Sequence, residues 1–465
     1  MALFDQLANM FRIRDLRRRI FITAALIAVT RVGCFIPLPG LDSAALAEAM
    51  GQAQEGAGAV FGILNMFSGG ALSKGAVFGL GIMPYISASI IFQLLANVIP
   101  RLERLRKEGE AGRKKLNQYT RMATVVICLF QGAVVVRGLY RFGVIPDYVT
   151  QSWFYSAWFS ISNGFLLMAG TMFLMWIGEQ IDEHGIGSGI SLIIMVNILS
   201  RLPRQLGILA QNIQQAESQQ NSVLKILVLI GLFVGLVVAI IYITRGERRI
   251  PVQQAKHVRG PKVYGGQKHY LPLRVNQAGV MPLIFASALL QFPAIIAGSA
   301  VQSLGDNPDS LWYKFFRFIS DAVQPGQLSL TYVILYGLLI FFFSYFWTAI
   351  MFNPQEMSDN LKDYGSFIPG IRPGKRTADY LEGIMNRVTM AGSFFLLSIA
   401  LMPMIVSWAL NIPLGTASLY GGTSILIVVG VALDLMNRVN QHLEMRRYSG
   451  FAAGAAGRRR TRRRR

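Results

Sequence analysis

GIRPGKRT, residues 370–377, carries the residue types of a phosphate-binding loop without the spacing. That loop is G-x-x-x-x-G-K-[ST], since backbone amides must cradle the phosphates and a hydroxyl must meet magnesium. Here Gly370 lies one residue too close to Gly374, and Arg376 stands where Ser or Thr is needed. HGIGSGIS, 184–191, is as glycine-rich, but no strand precedes it and no acidic residue follows at the dinucleotide spacing. It reads as a tight turn entering an apolar run. Cys34 and Cys128 both sit inside apolar runs, and the four histidines are scattered with no CxxC or HExxH spacing. These patterns predict no catalytic residue, no metal site, no cofactor and no disulfide. The chain is expected not to be an enzyme, and any driving energy must come from a partner.

The informative chemistry lies in the backbone of residues 59–98. Ala59 to Ser73 is apolar but soft, interrupted by Gly62, Asn65, Ser68, Gly69 and Gly70, and only Phe78 to Leu95 turns firmly hydrophobic. In a bilayer every N–H and C=O needs an internal partner, so broken backbone at membrane depth survives only inside protein or beside a water-filled cavity. Such a segment predicts a channel or a carrier.

Composition supplies the elements that hold it. Of 465 residues, 53% are hydrophobic and 15% charged, and the mean hydropathy of +0.43 excludes both an ordinary soluble domain and a disordered chain. About 20 apolar residues cross a ~30 Å hydrocarbon core. Ten such runs lie near 20–38, 76–98, 122–142, 153–177, 186–200, 223–244, 276–298, 328–352, 388–409 and 422–437, the fifth and tenth being short. No cleavable signal peptide is expected, because Arg17, Arg18 and Arg19 lead into a run that ends at IPLPG without an A-x-A site.

Basic residues concentrate on the cytoplasmic side of membrane proteins. Residues 12–19, 101–121, 245–274 and 362–387 are rich in Lys and Arg, whereas the loops near Asp147 and Asn411 have none and that near Asp306 is mixed. Both termini are therefore predicted inside. Acidic EQIDEH, 179–184, and the external Arg201 and Arg204 run against the pattern, although acidic residues weigh little in it.

Ten spans divide five and five around 201–222, where QNIQQAESQQNS reads as an external linker. Halves of opposite insertion suggest an inverted repeat with a path at their interface. Phe4, Leu7, Phe11 and Leu16 at helical spacing predict a helix on the inner membrane surface. The six tryptophans, Trp153, Trp158, Trp176, Trp312, Trp347 and Trp408, lie in or beside spans and read as headgroup anchors. The arginine run after Gly457 reads as a cytoplasmic tail, either solvated or in contact with anionic lipid or RNA. A charge at mid-depth costs at least ~2.5 kcal/mol and persists only for function. No span holds a central Glu, Asp or Lys; Asp434 sits near the inner end of the last, and Arg31 and Arg137 lie in outer halves where long side chains snorkel.

NMFSGGALSKG (65–75), GIMPYISASIIFQLL (81–95), KEGEAGRKKLNQYTR (107–121), GTMFLMWIGEQIDEHGIGSGIS (170–191), ERRIPVQQAK (247–256), LPLRVNQAGVMPLIFAS (271–287) and FIPGIRPGKRT (367–377) together resemble the SecY family, the channel subunits of the bacterial protein translocase. The likeness runs from about Arg17 to Gln441 and weakens at 205–222, 300–326 and the arginine tail.

The resemblance implies an all-α polytopic membrane protein, with ten transmembrane helices in two pseudo-symmetric five-helix halves around a central hourglass pore. It implies a waist ring of Ile82, Ile86, Ile190, Ile194, Ile284 and Ile427. An aliphatic collar dewets against ions yet makes no specific hydrogen bond to a passing chain. A plug is implied at 61–73, including Asn65, Met66, Phe67, Ser68, Gly69 and Gly70, whose glycines let it bend and whose small side chains bury little area. Ser87, Gln131 and Asn276 fall on the implied lateral gate between spans two and three and spans seven and eight. Polar groups between membrane helices contribute only ~0.6 kcal/mol each, a strength suited to a seam that opens. Arg248, Arg249, Lys256 and Arg372 match docking surfaces for the ribosome and the SecA motor, where basic side chains would meet RNA phosphate or acidic protein.

The implied organisation is an amphipathic N-terminal segment at 1–19, a first half at 20–205, an external linker at 206–222, a second half at 223–445 with cytoplasmic loops 245–274 and 353–387, and a basic tail at 446–465. The implied partners are SecE and SecG subunits, SecA, the ribosome, signal sequences and unfolded preproteins, and membrane lipid, with nucleic acid met only through ribosomal RNA. The function so implied is a multi-pass channel of the bacterial cytoplasmic membrane that passes unfolded preproteins and releases transmembrane segments sideways into lipid. The alternative is a small-solute secondary transporter of inverted-repeat fold, which predicts a mid-membrane charge where this chain offers an aliphatic collar.

Overall fold

The computed structural model describes residues 13–43, 45–46, 49, 65, 67–141, 143–146, 149, 152–215, 219–254, 257–259, 262–264, 268–304, 309–323, 329–410 and 424–441. The chain divides into two compact units, Met1–Arg204 with Val431–Arg465, and Gln205–Gly430. The surface helix expected at 2–16 falls outside the described residues up to position 12, and the basic tail does so entirely.

In the first unit the helices are α1 (Arg14–Gly33), α2 (Met83–Val98), α3 (Pro100–Lys107), α4 (Glu110–Arg141), α5 (Trp153–His184) and the start of α6 (Gly189–Gln215). Pro84 and Pro100 stand in the first turns of α2 and α3, where no intrahelical donor is lost. α1 and α4 both pack on α5, and α2 packs on α4. Small residues bring α4 and α5 together: a Cβ built on Gly132 would lie 3.5 Å from the Gly164 carbonyl.

The chain between α1 and α2 is helical at Asn65 and Phe67 and turns from Ser68 to Ile82, where backbone bonds tie it back to the end of α1. Leu38 donates to the Gly75 carbonyl at 2.7 Å and Val77 to that of Ile36 at 2.9 Å, flanking a bridge between Pro37 and Ala76. Phe78 anchors this crossing in a core with Cys34, Ala71, Ala76 and Leu174.

The second unit carries the remainder of α6 beyond Arg204, then α7 (Gln219–Arg245), strands β1 (Glu247–Gln254), β2 (His257–Arg259), β3 (Lys262–Tyr264) and β4 (Lys268–Arg274), and helices α8 (Met281–Ser303), α9 (Leu311–Val323), α10 (Leu330–Met351) and α11 (Pro354–Asp363). Strand β5 (Ser366–Phe367) and helix α12 (Lys375–Leu410) follow. A last helix, α13, spans 424–441, running out of the second unit into the first. α10 packs against α8 and α12. β1 pairs antiparallel with β4 from Glu247↔Arg274 to Gln253↔Lys268, and β5 joins the other edge of β1 through Gln253↔Phe367.

These strands add to the helical fold expected from sequence. β1 buries Ile250 and Val252 on one face, the alternation of a half-buried strand. They enter a core with Leu273, Phe352, Ile368, Leu381, Ile384, Met385 and Val388. Two connections that look separate in sequence thus fold as one body.

Each of the ten predicted apolar runs falls on a helix. Five described helices, or six if α2 and α3 count as one bent span, are long and apolar enough to cross a bilayer. The polar stretch read as a linker is helical to Gln215 and again from Gln219. Of the tryptophans, Trp347 differs from the anchor expectation: it is buried on α10, edge-on to Phe285 at 5.1 Å, while the other five are exposed.

Candidate functional site

Asn65, Phe67, Ser68, Ala71, Leu72 and Ser73 are all buried, so this soft segment sits inside protein. It bonds itself. The Asn65 carbonyl accepts from the Gly70 amide at 2.9 Å and the Ser68 hydroxyl at 3.1 Å, and Asn65 Oδ1 accepts from the Ser73 amide at 3.0 Å. Gly69, with φ of +68°, lies so close to α1 that a Cβ would stand 3.0 Å from the Arg31 guanidinium. Gly81, with φ of +59°, meets the same limit from Ser68 Cα at 3.1 Å.

A polar network fastens this segment to two helices. Asn197 on α6 donates its amide to the Phe67 carbonyl at 2.8 Å and accepts from Arg31 of α1 through Oδ1. Arg31 also donates to Ser200 Oγ at 2.7 Å, while its Nε is buried without a partner. Arg31 was expected to snorkel; it turns inward, because the amide and hydroxyl one turn apart on α6 give its fork two acceptors. Sequence reasoning missed Asn197 and Ser200. The one available signal was a pair of polar residues in the otherwise apolar run LIIMVNILS.

Ile82 caps α2 and its carbonyl accepts from the Ile86 amide at 3.1 Å, which sets the two side chains one turn apart. Ile190 and Ile194 stand one turn apart on α6, where Gly178 of α5 admits Ile190: a Cβ there would lie 3.2 Å from Ile190 Cγ1. Ile284 is on α8 and Ile427 on α13. Ile82, Ile86, Ile194 and Ile427 are buried, Ile190 and Ile284 half-buried. Ile82, Ile86, Ile190 and Ile194 belong to the first unit, and Ile284 and Ile427 to the second.

Ser87 on α2 and Gln131 on α4 are buried on adjacent helices, and Gln131 Oε1 has no hydrogen-bond partner. Asn276 instead donates to the Gly279 carbonyl of its own turn at 3.0 Å. Among the described residues, every buried polar side chain is an uncharged Thr, Asn, Ser or Gln.

Arg248 and Arg249 are exposed on β1, opposite Leu273 and Pro272. Arg372 is exposed in a turn closed by Thr377 Oγ1 on the Arg372 carbonyl at 2.9 Å and by Ser358 Oγ on the Gly374 carbonyl at 2.7 Å. Because β5 pairs with β1, the structure brings these three arginines onto one sheet-and-helix body. Met66 and Lys256 lie outside the described residues.

A broken segment buried and bonded through Asn65, Ser68 and Ser73, aliphatic residues at the starts of helices and, among the described residues, no charged residue in the buried class define a polytopic membrane protein of the channel class. The sequence model of the SecY family matches residues 76–436, and the chain belongs to that family. It is 43% identical over 436 residues to the protein translocase subunit SecY of Vibrio cholerae, covering 93% of each chain. It is likewise 43% identical over 425 residues to that of Escherichia coli K12, covering 91% of each. Among solved structures it resembles a protein-conducting channel with a TM-score of 0.60 at 16% identity, over 91% of this chain and 92% of that one. Sec61 in the canine ribosome–channel complex from the endoplasmic reticulum gives a TM-score of 0.58 at 15% identity, with the same coverage. At such identities the likeness is one of fold. The small-solute transporter is not favoured.

Proposed function

We propose that this chain is the protein-conducting subunit of a bacterial Sec translocase, passing unfolded preproteins across the cytoplasmic membrane and releasing transmembrane segments sideways into lipid. One observation carries it: in a SecY-family chain, a buried segment that begins helical at Asn65 and Phe67 and turns from Ser68 onward leads directly into Ile82 and Ile86 at the start of α2.

In this reading Ile82, Ile86, Ile190, Ile194, Ile284 and Ile427 form the waist between halves at 20–205 and 223–445. An uncharged aliphatic ring excludes ions by dewetting and grips no particular side chain. Residues 61–73, including Asn65, Met66, Phe67, Ser68, Gly69 and Gly70, close it as a plug. Ser87, Gln131 and Asn276 line the lateral gate. Arg248, Arg249, Lys256 and Arg372 face the cytoplasm, as do both termini, and receive SecA or the ribosome. SecE clamps the halves and SecG sits at the periphery.

Photocrosslinking tests the pore. A secretory chain is stalled in transit through channels bearing a photoreactive group at Ile86 or Ile284, and adducts to the stalled chain are expected at both. Adducts to lipid alone would remove the assignment.

A further inference from the structure

Helix α9, LWYKFFRFISDAV, lies between the end of α8 and the start of α10 and packs against both. Its sequence presents three faces. Tyr313, Phe316, Ile319, Ser320 and Val323 turn toward the protein and are half-buried or buried. Lys314, Arg317 and Asp321 form a charged strip, in which Lys314 pairs with Asp309 at 3.7 Å and Arg317 with Asp321 at 4.0 Å. The third face is apolar and uncovered: Leu311 is 85% exposed, Trp312 66%, Phe315 52% and Phe318 67%. Positions 311, 315 and 318 fall on one side of a helix, so the exposure is a continuous surface rather than scattered contacts.

We propose that α9 is an interfacial helix whose Leu311, Trp312, Phe315 and Phe318 rest in the boundary between lipid headgroups and acyl chains. The occupant is lipid because both helices that α9 packs against also expose apolar side chains, Leu289 and Ile296 on α8 and Leu330, Ile334 and Leu338 on α10, and α10 is long and apolar enough to cross a bilayer. A membrane-facing surface has no reason to end at the first turn of α10 and resume as an aromatic patch in water. The aromatic residues suit this depth, since amphipathic rings collect at the headgroup level. The charged strip points away from the apolar face, and its opposite charges are paired, so seating depends on buried area rather than on anionic lipid. This inference goes beyond the conducting role and holds whatever passes through the channel.

The test uses the full chain, with its partner subunits, in nanodiscs of neutral phospholipid. Nitroxide labels are placed singly through Phe315→Cys, Phe318→Cys, Lys314→Cys and Arg317→Cys, with the unsubstituted chain as the blank for Cys34 and Cys128. Power saturation is then compared for oxygen, which enters lipid, and a neutral nickel chelate, which stays in water. Labels at 315 and 318 are expected to meet oxygen several-fold more, relative to nickel, than labels at 314 and 317. Equal ratios at all four positions overturn the proposal, as does protection of 315 and 318 from both reagents, which would mean that protein covers them. A second measurement keeps the test open if a cysteine variant fails to fold. The emission difference between the unsubstituted chain and Trp312→Phe is expected to fall by half or more when the lipid chains are brominated, and an unchanged difference overturns the seat.

Discussion

Asn197 donates its side-chain amide to the Phe67 carbonyl at 2.8 Å while accepting from Arg31 on its other side. One neutral residue therefore ties the broken backbone before α2 to the helix that carries Ile190 and Ile194. Asn197→Leu leaves the carbonyl and the guanidinium short of a partner, and an orphaned buried group costs ~1–3 kcal/mol. The ratio of closed to open channels should then fall about tenfold, because 1.4 kcal/mol is a factor of ten. Resting ion conductance of reconstituted channels is expected to rise by that factor, with preprotein transport retained. An unchanged conductance in a correctly folded variant would take Asn197 out of any closing role.

Deleting residues 61–73 asks the coarser question. From Asn65 to Ser73 the described residues bond largely to one another, so outside the segment its removal orphans chiefly the Asn197 amide and the backbone amides of Gly75 and Ala76. The deleted channel is expected to assemble and to transport preprotein, but with higher resting leak than the Asn197→Leu variant. A leak equal to that of the intact chain would show that the segment does not close the pore.

The helices were legible because a spanning run advertises itself: about 20 apolar residues in succession leave few other structures. The soft segment was legible for the opposite reason, its glycines and small polar residues breaking such a run. The sheet was not. β1 buries only Ile250 and Val252, and its edge partner β5 lies more than a hundred positions away, so nothing local in ERRIPVQQ marks the pairing of Gln253 with Phe367. Arg31 shows the same limit, since a snorkelling arginine and one bonded to Asn197, 166 residues away, have identical local sequences. An isoleucine of the proposed waist likewise looks like any packed isoleucine, and only the shared motifs around Ile82 and Ile190 single them out.

The core beneath the sheet supplies a stability prediction. Leu381 on α12 is fully buried among Ile250, Val252, Leu273 and Ile384, so Leu381→Ala leaves a cavity where strands and helix meet. Such truncations cost about 2–5 kcal/mol. Leu381 lies near the start of α12, ahead of its apolar run at 388–409, so loosening is expected to stay near the sheet. Limited trypsin digestion should cut faster at Arg248 and Arg249 while the membrane-embedded fragments persist. Uniform protection would mean that the sheet holds without its helical floor.

Arg372 separates docking from topology. Its side chain is exposed and no ion pair among the described residues holds it, while its carbonyl closes the turn with Thr377. Arg372→Glu therefore reverses a surface charge without removing the bond that shapes the loop. A basic residue serving only to set orientation would be redundant here, since Lys375 and Arg376 follow at once. One that meets an acidic face of the motor would not be, because reversal turns attraction into repulsion at close range. Truncating one partner of a buried charge pair costs about 2 kcal/mol or more, so SecA-driven export in reconstituted vesicles is expected to fall at least about tenfold. The amount of channel in the membrane should stay constant, and the loss should be smaller for Arg372→Gln. Normal export with Glu at 372 would return this arginine to a topological role.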